Sequence, residues 1–256
     1  MSNTMSQSWL LGRRALLEAV RTPESTIPTF FIPLFFLVVN VGQAGRIFPG
    51  SSTEFLHGQG YAAFQLPVSV LLAASFGSAG LYLVEDIVGG YFDKLRATPI
   101  SRSAIVLGRL FTEAVKGAVV TLVIIVVALP FDVHIAAGPL GWVLIIVLTS
   151  AWCVVFSGFL QLIAMKSRNA AATQSGSMVF FPLMFLTPNF VPRDLLTTPM
   201  QWAAKFNPVT YLMEAIRSPI LESDVDWAVV GKGFLIVAVL GALMLWANVS
   251  AIRTYD

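Results

Sequence analysis

From Leu140 to Met165 the chain runs for 26 residues without a charged side chain. An α-helix of that length spans about 39 Å, ample for a hydrocarbon core of about 30 Å. In lipid the backbone must satisfy its own hydrogen bonds, and within a single segment only a helix does so. Comparable apolar runs recur at Thr26–Ala44, Tyr61–Val84, Ile105–Leu129, Ala170–Leu186 and Val229–Val249. The expectation is an all-α polytopic membrane protein of six transmembrane helices, forming one transmembrane domain over residues 1–256. Composition agrees: 12% of the residues are charged, against about a quarter in soluble domains, and the mean hydropathy is +0.78.

Between these runs lie segments of other kinds. Residues 9–21 (WLLGRRALLEAVR) are too polar to cross. Arg14, Glu18 and Arg21 share one helical face, and Leu10, Leu16, Leu17 and Val20 lie mostly opposite, as in a helix lying in the membrane interface. Thr22-Pro23-Glu24-Ser25 is expected to break it before the first span. No apolar core followed by a small-residue cleavage site precedes that span, so it is expected to be retained. Residues 187–226 contain Pro188, Pro192, Pro199, Pro208 and Pro219 between apolar pieces too short to span. These suit short external re-entrant helices before the last span, shielded by protein.

The stretch from Glu85 to Ser103 is a polar island. Glu85, Asp86, Asp93, Lys94, Arg96 and Arg102 place six charges within eighteen residues. Burying them at mid-bilayer would cost on the order of 15 kcal/mol, so the segment lies outside the membrane. Gly89-Gly90 offers a turn, Tyr91–Ala97 a short helix, and Thr98-Pro99 a stop. Just beyond, Arg109, Glu113 and Lys116 share one helical face and are expected to pair along it. Six spans put both termini and the island on one side, with eleven Lys and Arg there against five opposite. By the positive-inside bias that side is the cytoplasm.

Chemistry of the chain's own is scarce. The nearest approach to a phosphate loop, Gly231-Lys232, has Asp226 where the first glycine belongs and Gly233 in place of the magnesium-binding hydroxyl. His57 and His134 read as loop residues without metal-ligand spacing, and Cys153, the single cysteine, as a small buried hydrophobe. A net charge of +2 without a basic run gives no basis for nucleic-acid binding. The spans hold almost no ionisable group, so an ion-coupled carrier is disfavoured. No bound cofactor is expected. A six-span protein of this kind is passive or driven from outside.

Two stretches carry a family resemblance. In the island they are Glu85, Gly89 or Gly90, Asp93-Lys94-Leu95, Thr98-Pro99 and Ser101-Arg102. Before the last span they are Phe190-Val191-Pro192, Asn207-Pro208-Val209-Thr210-Tyr211 and Glu214-Ala215-Ile216-Arg217. With these the chain resembles the ABC-2 permeases of ABC exporters over nearly its whole length, and within them the drug-exporter branch of daunorubicin-resistance permeases. The resemblance implies a plasma-membrane exporter subunit with both termini cytoplasmic. It implies a second permease half, taken as identical, surrounding lipid, and two ATPase subunits that bind ATP and magnesium. The island would be the coupling segment, with Glu85, Tyr91, Phe92, Asp93, Lys94, Leu95 and Arg96 meeting the ATPase. Independently of it, Tyr91, Phe92 and Leu95 read as apolar anchors within a charged rim. The external signature would be Asn207, Pro208, Tyr211, Glu214 and Arg217, with Asn207 capping a helix that starts at Pro208 and Glu214 pairing with Arg217. An apolar cavity for a drug or lipid-like cargo is expected near Phe35, Phe36, Phe64, Phe76, Phe180, Phe181 and Phe185. Export of a polysaccharide or another envelope component is the alternative. A membrane-embedded enzyme would need catalytic groups clustered at one depth, and a non-transporting scaffold borrowing the permease fold is the remaining class.

Overall fold

The computed structural model describes residues 23–50, 52–76, 79–91, 94 and 102–253. The expected interfacial helix at residues 9–21 lies outside the described residues. The described helices are α1 (Pro23–Ala44), α2 (Tyr61–Ser75), α3 (Ala79–Val88), α4 (Arg102–Ala128), α5 (Gly138–Ser167), α6 (Ala170–Ser177), α7 (Phe180–Phe185), α8 (Thr198–Phe206), α9 (Pro208–Leu221) and α10 (Trp227–Arg253). No strand occurs among the described residues.

Four stretches are long and apolar enough to cross a membrane: Tyr61–Val88, Leu107–Phe131, Gly138–Ser167 and Trp227–Ile252. A shorter apolar stretch, Thr29–Ala44, belongs to α1. Helix α1 starts at Pro23 rather than after Ser25. A proline at a first helical position gives up no hydrogen bond, so Pro23 is compatible with this first described turn. The apolar run at 170–186 is divided, with α6 and α7 separated at Met178-Val179. Pro182 supplies the reason: it has no N–H to return to Met178, four residues back, and its ring crowds that carbonyl. Met178 O accepts the Phe181 amide at 3.1 Å instead, tightening the turn.

Helix α5 is the hub. It packs on α2, α3, α4, α6, α9 and α10. Every residue of α2 is buried, including Gln65, Ser69 and Ser75, so this helix is the core of the bundle rather than one of its faces. Phe64, Trp152, Phe156 and Phe180 belong to the main cluster around it. Ser75 Oγ accepts a hydrogen bond from Trp152 Nε1 at 2.9 Å and donates to Leu71 O at 2.8 Å, satisfying the indole of α5 at the end of α2.

The connections sort to two ends. Leu83 and Val84 of α3, Leu110 of α4, Ala164 and Met165 of α5 and Ile252 of α10 form one cluster beside the island. At the other end the loops interlock. Gln59 Nε2 donates to Ile220 O at 2.6 Å, His134 N to Gln59 Oε1 at 3.3 Å, and the Ala136 and Ala137 amides to Ile220 O and Pro219 O. The carboxyl end of α10 thus shares an end with the root of the island, and residues 45–50, 52–60, 129–137 and 187–226 share the opposite one.

Helices α9 and α10 meet at Gly233, where an added Cβ would lie 2.5 Å from Ala215 Cβ. Gly233→Val is expected to lower stability by about 1–3 kcal/mol through overpacking. Gly231→Ala, at a position with nothing within 4 Å, should leave stability equal or raise it through helix propensity. Thermal unfolding of both variants in detergent checks the contrast.

Candidate functional site

Two places combine unusual polarity with a position between elements. The first is the root of the island. Helix α3 carries Tyr82, Glu85 and Asp86 and ends where Gly89 N donates to Glu85 O at 2.8 Å. Gly90 follows at φ +71°, a left-handed turn that favours glycine. Glu85 and Lys94 are exposed. Tyr91 is half-buried, packed on the cluster of Leu83, Val84, Leu110, Ala164, Met165 and Ile252. Part of its ring surface is therefore taken up by the bundle. Phe92, Asp93, Leu95 and Arg96 lie outside the described residues.

Across from α3, the charged face of α4 resolves differently from its spacing. Lys116 Nζ bonds Glu113 Oε1 at 2.7 Å, as the i, i+3 relation allows. Arg109, however, turns away from Glu113 and pairs with Asp86 of α3. Glu113 is 3% exposed and also accepts from Ser157 Oγ of α5 at 3.1 Å. Lys116 sits over the Tyr82 ring at 5.3 Å from its centroid. The bundle thus encloses the Glu113 carboxylate, which lies within the apolar run at Ile105–Leu129. It is held in a pair, as buried charges must be.

The second place is the opposite end. The chain from Thr187 to Thr197 has irregular backbone apart from a 3-10 turn at Arg193–Leu195, and its carbonyls are met by buried side chains. Arg217 of α9 is 7% exposed and lies against the Phe64 ring, 3.6 Å from its centroid. Its Nη1 and Nη2 both donate to Pro188 O at 3.2 Å, and its Nε donates to Phe64 O at 3.3 Å. Gln65 Nε2 donates to Asn189 O at 2.9 Å and Tyr61 OH to Phe190 O at 2.8 Å, while Asn40 Nδ2 of α1 donates to Gln65 Oε1 at 3.2 Å. Asn207 caps α9, its Oδ1 accepting from Val209 N at 3.0 Å, and its Nδ2 reaches Leu183 O. Pro208 occupies the first turn, as expected.

Glu214 does not pair with Arg217. Its carboxylate meets Arg193, 3.2 Å away and 21 residues back in the chain, and Arg193 also faces the Tyr211 ring. Helical spacing places Glu214 and Arg217 near each other, but the carbonyls of Phe64 and Pro188 claim the guanidinium. Burial holds the Glu214 carboxyl above the ordinary carboxylate range, with Arg193, Arg217 and Lys232 pulling the other way. Burial lowers the Arg217 pKa to about 9, opposed by Glu214 and Tyr61, so the guanidinium keeps its charge at neutral pH. Phe55, Phe64, Arg193, Glu214, Arg217 and Glu222 are among the residues lining a pocket of about 250 Å³ at this end. Asn40, Tyr61 and Gln65 were not among the sequence-derived candidates. A glutamine inside an otherwise apolar helix is the signal that points to them.

The aromatic candidates divide. Phe64 and Phe180 are 1% and 2% exposed and belong to the packed core. Phe76 and Phe181 are half-buried and in edge contact, with centroids 5.8 Å apart. Phe36 is half-buried, and Phe35 and Phe185 are exposed. Phe35 stacks on Phe31 along α1, with centroids 6.1 Å apart.

A family model described as "ABC-2 type transporter" matches residues 6–221. A curated relative, the daunorubicin resistance ABC transporter permease protein DrrB1 of Streptomyces coeruleorubidus, is 24% identical over 221 residues, covering 85% of this chain and 74% of the relative. The match covers the island and the external segment as far as residue 221, and the apolar helices agree with a multi-pass membrane protein. The chain belongs to the ABC-2 type transporter family, the membrane transport subunits of ABC transporters rather than their ATPases.

Proposed function

We propose that this chain is the permease half of an ATP-driven exporter of a hydrophobic or amphipathic, drug-like or lipid-like cargo. Two copies pair in the plasma membrane with both termini in the cytoplasm. Two ATPase subunits, which bind the ATP and magnesium, dock on the island from Glu85 to Ser103. The observation that carries this reading is the clustering of the ends of α3, α4, α5 and α10 around the island. A push on this one connection meets four helices at once. The drug-resistance relative supports the cargo class. With Phe64 and Phe180 committed to packing, Phe35, Phe36, Phe76, Phe181 and Phe185 remain as candidates to line the cavity.

The test replaces Asp93-Lys94 by alanines in protein co-expressed with its ATPase. ATP-driven uptake of daunorubicin into inside-out vesicles should fall by about tenfold or more, the loss of a typical interface hot spot, with membrane insertion unchanged. Full uptake by the variant overturns the coupling assignment. Failure of the intact protein to retain any ATPase subunit on purification overturns the exporter reading.

A further inference from the structure

The island leaves α3 and returns into α4, so a force applied to it can either pry these helices apart or move them together. Among their charged side chains, Asp86 and Arg109 bridge the two helices at the root of the excursion, with about 15% of each exposed. One and two turns further along, Lys116 of α4 sits over Tyr82 of α3. Lys116 holds Glu113, and Glu113 accepts from Ser157 of α5. Tyr91 packs beside the pair on the cluster to which α3, α4, α5 and α10 contribute.

We propose that Asp86 and Arg109 are positioning residues that fasten α3 and α4 into a single lever, whose movement passes to α5 through the Glu113–Ser157 contact. The inference rests on the coupling reading and adds to it what the force does after it arrives. Ion pairs at a surface contribute little to stability. A half-buried pair between the last turn of α3 and a position two turns into α4 instead sets whether the two helices rotate as one body. Losing it leaves the docking surface intact and lets a push dissipate in the gap.

The experiment uses Asp86→Cys with Arg109→Cys in a Cys153→Ala background, co-expressed with the ATPase. Without a linker, daunorubicin uptake per ATP hydrolysed should fall about tenfold, the size of a strong pairwise coupling, while the ATPase still co-purifies. A short bifunctional thiosulfonate joining the two cysteines should restore uptake, and reductant should abolish it again. A purely structural role would not give this reversible recovery in uptake per ATP. Unchanged uptake without the linker, or uptake that stays low when the helices are joined, overturns the lever. If the unaltered protein binds no ATPase, the coupling reading falls and the lever with it. If it binds and stimulates an ATPase but moves no daunorubicin, only the cargo is wrong. The lever is then decided by spin labels at Glu85→Cys and Leu107→Cys: a distance constant through vanadate trapping supports it, and a changed distance overturns it.

Discussion

Arg217→Ala is expected to be among the most damaging single changes in the described part of the chain. The guanidinium fills a buried site against the Phe64 ring and donates to the carbonyls of Phe64 and Pro188. Truncation leaves two acceptors without this donor and opens a cavity beside an aromatic core residue. Breaking a buried charged contact costs about 3–5 kcal/mol, and Arg217→Ala belongs in that range. Arg217→Lys keeps the charge but cannot present two parallel N–H groups to one carbonyl, so it should recover part of the loss. Thermal unfolding in detergent reads both. If Arg217→Ala unfolds at the temperature of the unaltered protein, the carbonyl contacts do not hold this end together.

Function should follow stability here. Tyr61, Gln65 and Arg217 hold three consecutive carbonyls, at Pro188, Asn189 and Phe190, so the irregular segment is tied directly to the core helix α2. Backbone of this kind persists at membrane depth only where protein satisfies it. The clasp lets a chain too proline-rich for a helix close the bundle at the end opposite the island.

The sequence disclosed these two regions unequally. The 26-residue run at Leu140–Met165 announced α5, which extends two residues further at each end. Charge-free length is a strong signal because lipid forbids the alternatives. The run at 170–186 was equally free of charge, yet Pro182 divides it, since an absence of charge does not register a missing N–H. Asn207 was legible as a cap because its partner lies two residues away. The partners of Glu214 and Arg217 lie 21 to 153 residues away, and no local spacing rule reaches that far. The same limit applies to Phe64 and Phe180, whose composition suits a cavity but whose neighbours, visible only in three dimensions, bury them.

Glu113 carries the second large expectation, at the other end of the bundle. Glu113→Ala removes the acceptor of both Lys116 and Ser157. The lysine side chain keeps one-fifth of its surface exposed, so it can partly rehydrate. The expected loss is therefore about 3 kcal/mol, the lower end for breaking a buried pair. Glu113→Gln keeps one oxygen for Lys116 and turns its amide NH2 toward Ser157 Oγ, which can accept instead of donate, so it should lose about 1 kcal/mol, the ordinary worth of one hydrogen bond. The double variant Glu113→Leu with Lys116→Met removes both charges and fills the space, so it should recover most of the stability lost in Glu113→Ala. Recovery of stability without recovery of uptake per ATP would mean that the pair is kept for moving α5 with α4, because packing alone would then have been replaced in full. Recovery of both would reduce Glu113 to a structural group and place the transmission from α4 to α5 in their apolar contacts, around Gly117 and Cys153, where an added Cβ on the glycine would lie 2.9 Å from Cys153 Cβ.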